Sequence, residues 1–270
     1  MTSEPTSSTL HEETRRIWDQ NASFWDASMS DEGNDFQRLL VYPASERLLQ
    51  LQPGETVLEL ACGNGVFARR MAQSGAHVVA TDFSATMIER ARARIAPTDQ
   101  IEFRQVDATR EEELLALGVR RFDAAVCNMG IMDMTEIEPL MRGIRQVVKP
   151  GGRFVFTLSH PCFNHSGISL VAEETTINGE IKTTHAVKVM TYLSTSPQKG
   201  VAMQGQPVAQ YYFDRPLHLL FNACFRAGLM LDGLEEPAFP SSPKEAQRSS
   251  FDWAHYDVPP ILAARLRIPA

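Results

Sequence analysis

Several groups in this 270-residue chain are of a type and spacing that could do chemistry around one small molecule. Glu59 stands near the end of the apolar run Val57-Leu58-Glu59-Leu60, four residues ahead of Gly63. The turn Gly63-Asn64-Gly65 then breaks the run before helical periodicity resumes at Val66. An unpaired carboxylate in a strand buried on both faces is costly, so Glu59 needs a donor. Gly63 and Gly65 lack a Cβ, which lets a ligand come close to main-chain amides. Those amides, with the helix start beyond them, attract a carboxylate or a phosphate. Asp82 ends the next apolar run, His77 to Asp82, seventeen positions after Gly65. A neighbouring parallel strand would set its two acceptor oxygens against both hydroxyls of a ribose. Ser84 is the better-placed cap of the following helix, which runs through Met87 up to Pro97, so Asp82 is left for the ligand.

The elements that must position these groups alternate strand and helix, the pattern of an α/β fold. Helices are expected from Leu10 to Trp25 and from Phe36 to Leu51, then a turn at Pro53-Gly54 leads into the first strand. Gly75 ends the helix after the glycine turn. Further strands are expected at Ile101 to Val106, Phe122 to Cys127 and Arg153 to Ser159, with helices Glu111 to Leu117 and Glu136 to Val148 between them. Residues Asn164 to Gln210 read as a lid insertion with one hairpin signal, Asn178-Gly179. Pro216 should start a helix ending near Gly228. Strands Leu229 to Leu234 and Ile261 to Ile268 follow, separated by a Pro- and Ser-rich excursion, Glu235 to Val258, and the last strand must run antiparallel for want of a crossover helix. The expected organisation is 1–51 cap helices, 52–163 cofactor-binding core, 164–214 lid, and 215–270 the remainder of the core sheet.

The string Glu59-Leu60-Ala61-Cys62-Gly63-Asn64-Gly65 resembles the first motif of the class I S-adenosylmethionine-dependent methyltransferases, in particular the small-molecule branch carrying the "methyltransferase type 11" domain. Lys149-Pro150-Gly151-Gly152 before an apolar strand is a second hallmark. The resemblance implies a three-layer Rossmann-like fold with a seven-stranded, mostly parallel sheet whose last strand is antiparallel. It implies S-adenosyl-L-methionine as cofactor and S-adenosyl-L-homocysteine as product. Glu59, Ala61, Gly63, Gly65, Asp82, Phe83, Met87, Asp107, Ala108, Asn128 and Met129 are then the cofactor contacts. Asp107 would accept from the exocyclic amine of adenine while the Ala108 amide bonds to the ring. Its other role would be that of an exposed turn residue. The Asn/Asp-Pro-Pro-aromatic version of the fourth motif is absent, which disfavours methylation of a nucleic-acid base amine.

A sulfonium carries its own electrophilic methyl, so positioning is most of the work. Where the acceptor must lose a proton a base is needed, and His160 is the first candidate, followed by Asp133, Tyr211 and Tyr212. Phe24, Trp25, His160, Tyr212 and Arg215 are the expected substrate contacts. The aromatic residues serve equally as anchors to the core, and His160 equally as a strand-end cap. Gly63-Asn64-Gly65-Val66-Phe67-Ala68 also satisfies the dinucleotide pattern G-x-G-x-x-G/A, so a nicotinamide-dependent oxidoreductase remains an alternative, as does a non-catalytic S-adenosylmethionine-binding protein.

A net charge of -7 argues against a nucleic-acid partner. The four cysteines have no metal-ligand spacing and suit reduced thiols in the cytoplasm. No metal is expected, no apolar segment reaches membrane-spanning length, and Met1 to Thr9 lacks the apolar core of a signal peptide. The expected partner is a small-molecule substrate, with the oligomeric state left open.

Overall fold

A computed structural model describes residues 7–96, 100–194, 196–239 and 253–270. Helix α1 (Ser7–Met29) buries Leu10, Thr14, Ile17 and Asn21, which recur at helical spacing. A π-helical turn, Gln37–Val41, runs directly into α2 (Tyr42–Leu49). The first strand, β1 (Thr56–Leu60), is buried beyond its first residue and leads through the glycine turn to α3 (Val66–Gln73). Then come β2 (His77–Asp82), α4 (Ala85–Arg92), β3 (Ile101–Gln105), α5 (Glu111–Leu115), β4 (Phe122–Asn128), a 3-10 turn at Ile131–Asp133, α6 (Glu138–Val147) and β5 (Val148–Ser159). The α4 helix stops five residues before Pro97, which lies outside the described residues.

The expected insertion contains a long hairpin, β6 (Ile168–Ile177) with β7 (Glu180–Val189), and a short antiparallel pair, β8 (Gln198–Gly200) with β9 (Gln210–Tyr212). Asn178 and Gly179 both take positive φ, 53° and 82°, the two-residue turn whose twist matches the flanking strands. Helix α7 (Leu217–Arg226), β10 (Met230–Glu235) and β11 (Ile261–Arg267) complete the chain. Most of the Pro- and Ser-rich excursion, 240–252, and the N-terminal 1–6 fall outside the described residues.

Seven strands form one sheet in the order β10-β11-β5-β4-β1-β2-β3. β11 is antiparallel to both neighbours and β1 to β5 pair in parallel, as the sequence led us to expect. Helices on both faces bury two apolar cores. One joins Leu58 and Leu60 to α5, α6 and α7; the other joins Val57 to α2, α3 and α4. Strand order reverses at β1, and the crevice at the carboxyl ends of β1 and β4 is where a parallel sheet takes its ligand.

The two glycines of the turn have different jobs. A Cβ on Gly63 would meet nothing within 4 Å, whereas one on Gly65 would lie 2.9 Å from Cζ of Phe103 on β3. Gly65 therefore permits helix-to-sheet contact at φ 75°, and Gly63 leaves open space. Gly65→Ala should destabilise the fold by ~2 kcal/mol through overpacking and left-handed strain. That is a loss of roughly 5 °C in a thermal melt.

Candidate functional site

Alternation along β1 places Glu59 on the same face as Val57, with its side chain 2% exposed. Its Oε2 has no hydrogen-bond partner among the described residues. Desolvation dominates and pushes the carboxyl up to about 8; Asp82 adds repulsion, and Arg69 offsets only part of it. Arg69 is committed elsewhere, donating to the carbonyl oxygens of Asn64 and Asp31.

Asp82 ends β2 with Oδ2 accepting from the Gly63 amide and Oδ1 from the Ser84 amide, both at 2.9 Å. Burial raises it to about 6 against those two bonds. Each oxygen keeps a further lone pair for a ligand. Ser84 caps α4 by accepting from the Met87 amide at 3.1 Å, which leaves Met87 buried beneath the turn. Asp133, in the 3-10 turn after β4, is half-buried, and desolvation lifts its carboxyl well above the usual range, with the Asp82 charge acting in the same direction. The Gln210 side chain donates to it at 3.2 Å. The Asp82 charge thus acts on both Glu59 and Asp133 at the crevice, raising the proton affinity of each.

At the end of β4, Asn128 accepts on Oδ1 from the hydroxyls of Ser45 at 2.6 Å and Thr157 at 3.2 Å. That turns its amide nitrogen the other way, buried and without a partner among the described residues. Met129 follows with φ 53°, its amide held by the Thr157 carbonyl at 2.9 Å. Ala61 also sits at positive φ, 52°, with its Cβ against Gly130. Asp107 is half-buried, and its Oδ1 receives the amide and the hydroxyl of Thr109, as in an Asx turn. Its Oδ2 lies 2.7 Å from His11 Nε2 of α1. Ala108 is buried beside it, and Phe83 packs 6.1 Å from the His11 ring.

The other expected site residues have partners of their own in the fold. His160 is 2% exposed, and both ring nitrogens are used: Nδ1 accepts from the Cys162 amide at 3.1 Å and Nε2 meets Glu236 at 2.8 Å. A neutral ring in that tautomer has no lone pair left to take a proton, and burial lowers its basicity further. Tyr211 donates to Glu13 of α1 at 2.9 Å and lies under Lys199. Arg215 is half-buried, lowered to about 10 by desolvation, and donates to the carbonyls of Ile131, Phe213, Met134 and Thr135. It ties the 3-10 turn to the chain after β9 and has no fork left for a substrate. Tyr212, one residue on from Tyr211, is on the Asp133 side, its hydroxyl raised by burial and by that carboxyl. Phe24 packs against Gly205 of the insertion, and Trp25 lies 5.5 Å from Trp18, both indole N–H groups buried and unpartnered among the described residues. Gln210 went unnoticed in the sequence. The alternation Gln210-Tyr211-Tyr212 on a strand is the signal that groups it with Tyr212.

A family profile described as a methyltransferase domain matches residues 57–152. Over 112 residues the chain is 39% identical to a demethylmenaquinone methyltransferase of Clavibacter sepedonicus, covering 42% of this chain and 44% of that protein. The chain thus matches less than half the length of this curated relative. An S-adenosylmethionine-dependent methyltransferase from Mesorhizobium loti superposes with a TM-score of 0.64 at 25% identity, over 83% of this chain and 96% of that one. The glycopeptide N-methyltransferase MtfA, solved with S-adenosyl-L-methionine, shares the fold with a TM-score of 0.55 at 17% identity, over 89% of this chain and 99% of that one.

The raised carboxyl of Glu59 fixes a pH dependence. A group whose folded value near 8 exceeds its unfolded value near 4.5 keeps its proton longer in the folded state, so stability falls as pH rises between those limits. Glu59→Gln should therefore match the parent at pH 5 and exceed it at pH 8, by on the order of a few kcal/mol in urea unfolding. Equal stability of the two at pH 8 would show that Glu59 is paired.

Proposed function

We propose that the protein is a class I S-adenosylmethionine-dependent methyltransferase that transfers a methyl group from S-adenosyl-L-methionine to a small-molecule acceptor, a reading supported by the methyltransferase-domain match over residues 57–152 and by the shared fold. The observation that carries this reading is Glu59, an orphaned carboxylate buried at an open glycine turn beside two further desolvated acids. Such a set suits a ligand bearing positive charge, and S-adenosylmethionine carries both a sulfonium and an ammonium. The pyrophosphate of a nicotinamide dinucleotide would meet the same acids as an anion, which disfavours the oxidoreductase alternative.

Bound there, the cofactor supplies an electrophilic methyl. Asp82 takes the ribose hydroxyls on its remaining lone pairs, and Gly63 admits the ligand to the backbone. The unpartnered amide nitrogen of Asn128 suits the carboxylate of the amino-acid tail, and Glu59 stands ready for the ammonium. On the acceptor side, Asp133 is the base once the arriving cation has displaced its proton. A carboxyl raised by burial is the stronger acceptor of a proton, and Gln210 holds one of its oxygens so that the other is left for the substrate. Tyr212 faces the same point. Trp18, Trp25 and Phe24 give α1 an aromatic flank that excludes water. The relatives matched by sequence are named for demethylmenaquinone, and a quinone acceptor or its reduced quinol is the first to test.

Asp82→Ala should weaken S-adenosylhomocysteine binding about 100-fold through loss of two charge-assisted hydrogen bonds. Asp133→Asn should leave that affinity within about threefold and lower turnover about 100-fold. Calorimetry measures the first and release of S-adenosylhomocysteine the second; unchanged affinity in the Asp82 variant defeats the proposal. The same titrations at pH 7 in buffers of different ionisation heat should show the cationic cofactor releasing on the order of one proton, and the neutral product fewer. The acids lose protons when a cation arrives.

A further inference from the structure

Three side chains on one strip of α1, His11, Asp19 and Asp26, are spaced by eight and seven residues, about two helical turns each. Each reaches a different loop at the carboxyl rim of the sheet. Asp26 accepts from the Asn64 amide in the turn after β1 at 3.0 Å and pairs with Arg90 and Arg94 of the α4 segment at 3.1 and 2.6 Å. Asp19 accepts from the Ser84 hydroxyl after β2 at 2.5 Å. His11 meets Asp107 after β3 at 2.7 Å. These are the loops that would hold the sugar, the amino-acid tail and the base.

The His11 contact differs from the other two in what it occupies. Asp107 has two oxygens, and Oδ1 is taken by the amide and hydroxyl of Thr109, at 2.9 and 2.7 Å. Oδ2 has His11 at 2.7 Å and Arg110 Nε at 3.4 Å. A carboxylate offers about four lone-pair sites. Thr109 fills both sites of Oδ1, and on Oδ2 His11 holds hydrogen-bond distance with the Arg110 guanidinium farther off, so an adenine amine approaching Oδ2 meets His11 there. Asp19 and Asp26 bind backbone-adjacent or helix groups and leave the acceptor oxygens of Asp82 alone.

Resting on the cofactor assignment above, we propose that His11 is a latch that the adenine must displace. The first turns of α1 lie across the base subsite and yield it only to a ligand that brings its own N–H donor to Asp107 Oδ2. The later turns stay fastened through Asp19 and Asp26, and on the other flank Asn21 exchanges two hydrogen bonds with Val208 at 2.8 and 3.0 Å. Opening is therefore confined to the end of the helix that carries His11, where the bonds of Glu13 to Lys199 and Tyr211 at 2.7 and 2.9 Å and of Ser7 to Glu136 at 2.8 Å must move with it or be released.

The test compares S-adenosylhomocysteine with S-ribosylhomocysteine, which has the sugar and the amino-acid tail and no base. Isothermal titration of the full chain and of His11→Ala and His11→Phe, neither of which can donate, measures both ligands. Removing the latch should tighten S-adenosylhomocysteine roughly tenfold, the scale of one charge-assisted hydrogen bond, and leave S-ribosylhomocysteine unchanged. Hydrogen exchange gives an independent readout in the unmodified protein: S-adenosylhomocysteine should speed exchange in residues 8–14 and S-ribosylhomocysteine should not. Unchanged or weaker S-adenosylhomocysteine binding in both variants overturns the latch while leaving the cofactor reading intact, as does equal tightening of both ligands. Failure of the unmodified protein to bind either ligand sinks the cofactor reading, and the latch with it.

Discussion

Desolvation of like charges is the constraint around which the rest of this molecule is arranged. Glu59 on β1, Asp82 at the end of β2 and Asp133 after β4 are each lifted by desolvation, and the Asp82 charge raises the proton affinity of the other two. An isolated ionised carboxylate in an apolar interior is among the most costly groups a fold can hold. The parallel sheet tolerates it because both its faces are covered and its apolar strands contribute two large cores. What the fold obtains is a cleft whose carboxyls hold their protons while it is empty and give them up to an arriving cation.

Helix α1 joins the two halves of the site mechanically. One strip of it reaches the loops after β1, β2 and β3, while Glu13 and Asn21 engage Lys199, Tyr211 and Val208 of the insertion. The same stretch of insertion supplies Gln210 to Asp133. A ligand that moves α1 therefore acts on an element that also touches the acceptor side. The contacts are hydrogen bonds between fixed partners rather than apolar packing alone, so the helix can release one anchor and keep the others.

Much of the fold was readable because its signals are local. The apolar runs of β1, β2 and β4, the turn chemistry of Asn178-Gly179 and the capping hydroxyl of Ser84 each act within a few residues. Even the antiparallel β11 follows from a missing crossover helix. Side-chain roles were readable only in part. His160 leaves β5 at the right edge of the sheet, yet its two nitrogens are consumed by Cys162, two residues away, and Glu236, seventy-six residues away. Arg215 beside aromatic residues suggested recognition, and four backbone carbonyls claim it.

The sequence alone determined the strand order's raw material, the open glycine turn and the carboxylates at the strand ends, because periodicity, turn propensity and the cost of a buried charge are properties of short segments. Tertiary structure decided which acid is held neutral, which base is spent and what stands on Asp107. Those outcomes depend on desolvation and on hydrogen-bond partners such as His11, ninety-six residues from Asp107 in the chain, and only a closed fold brings them within reach.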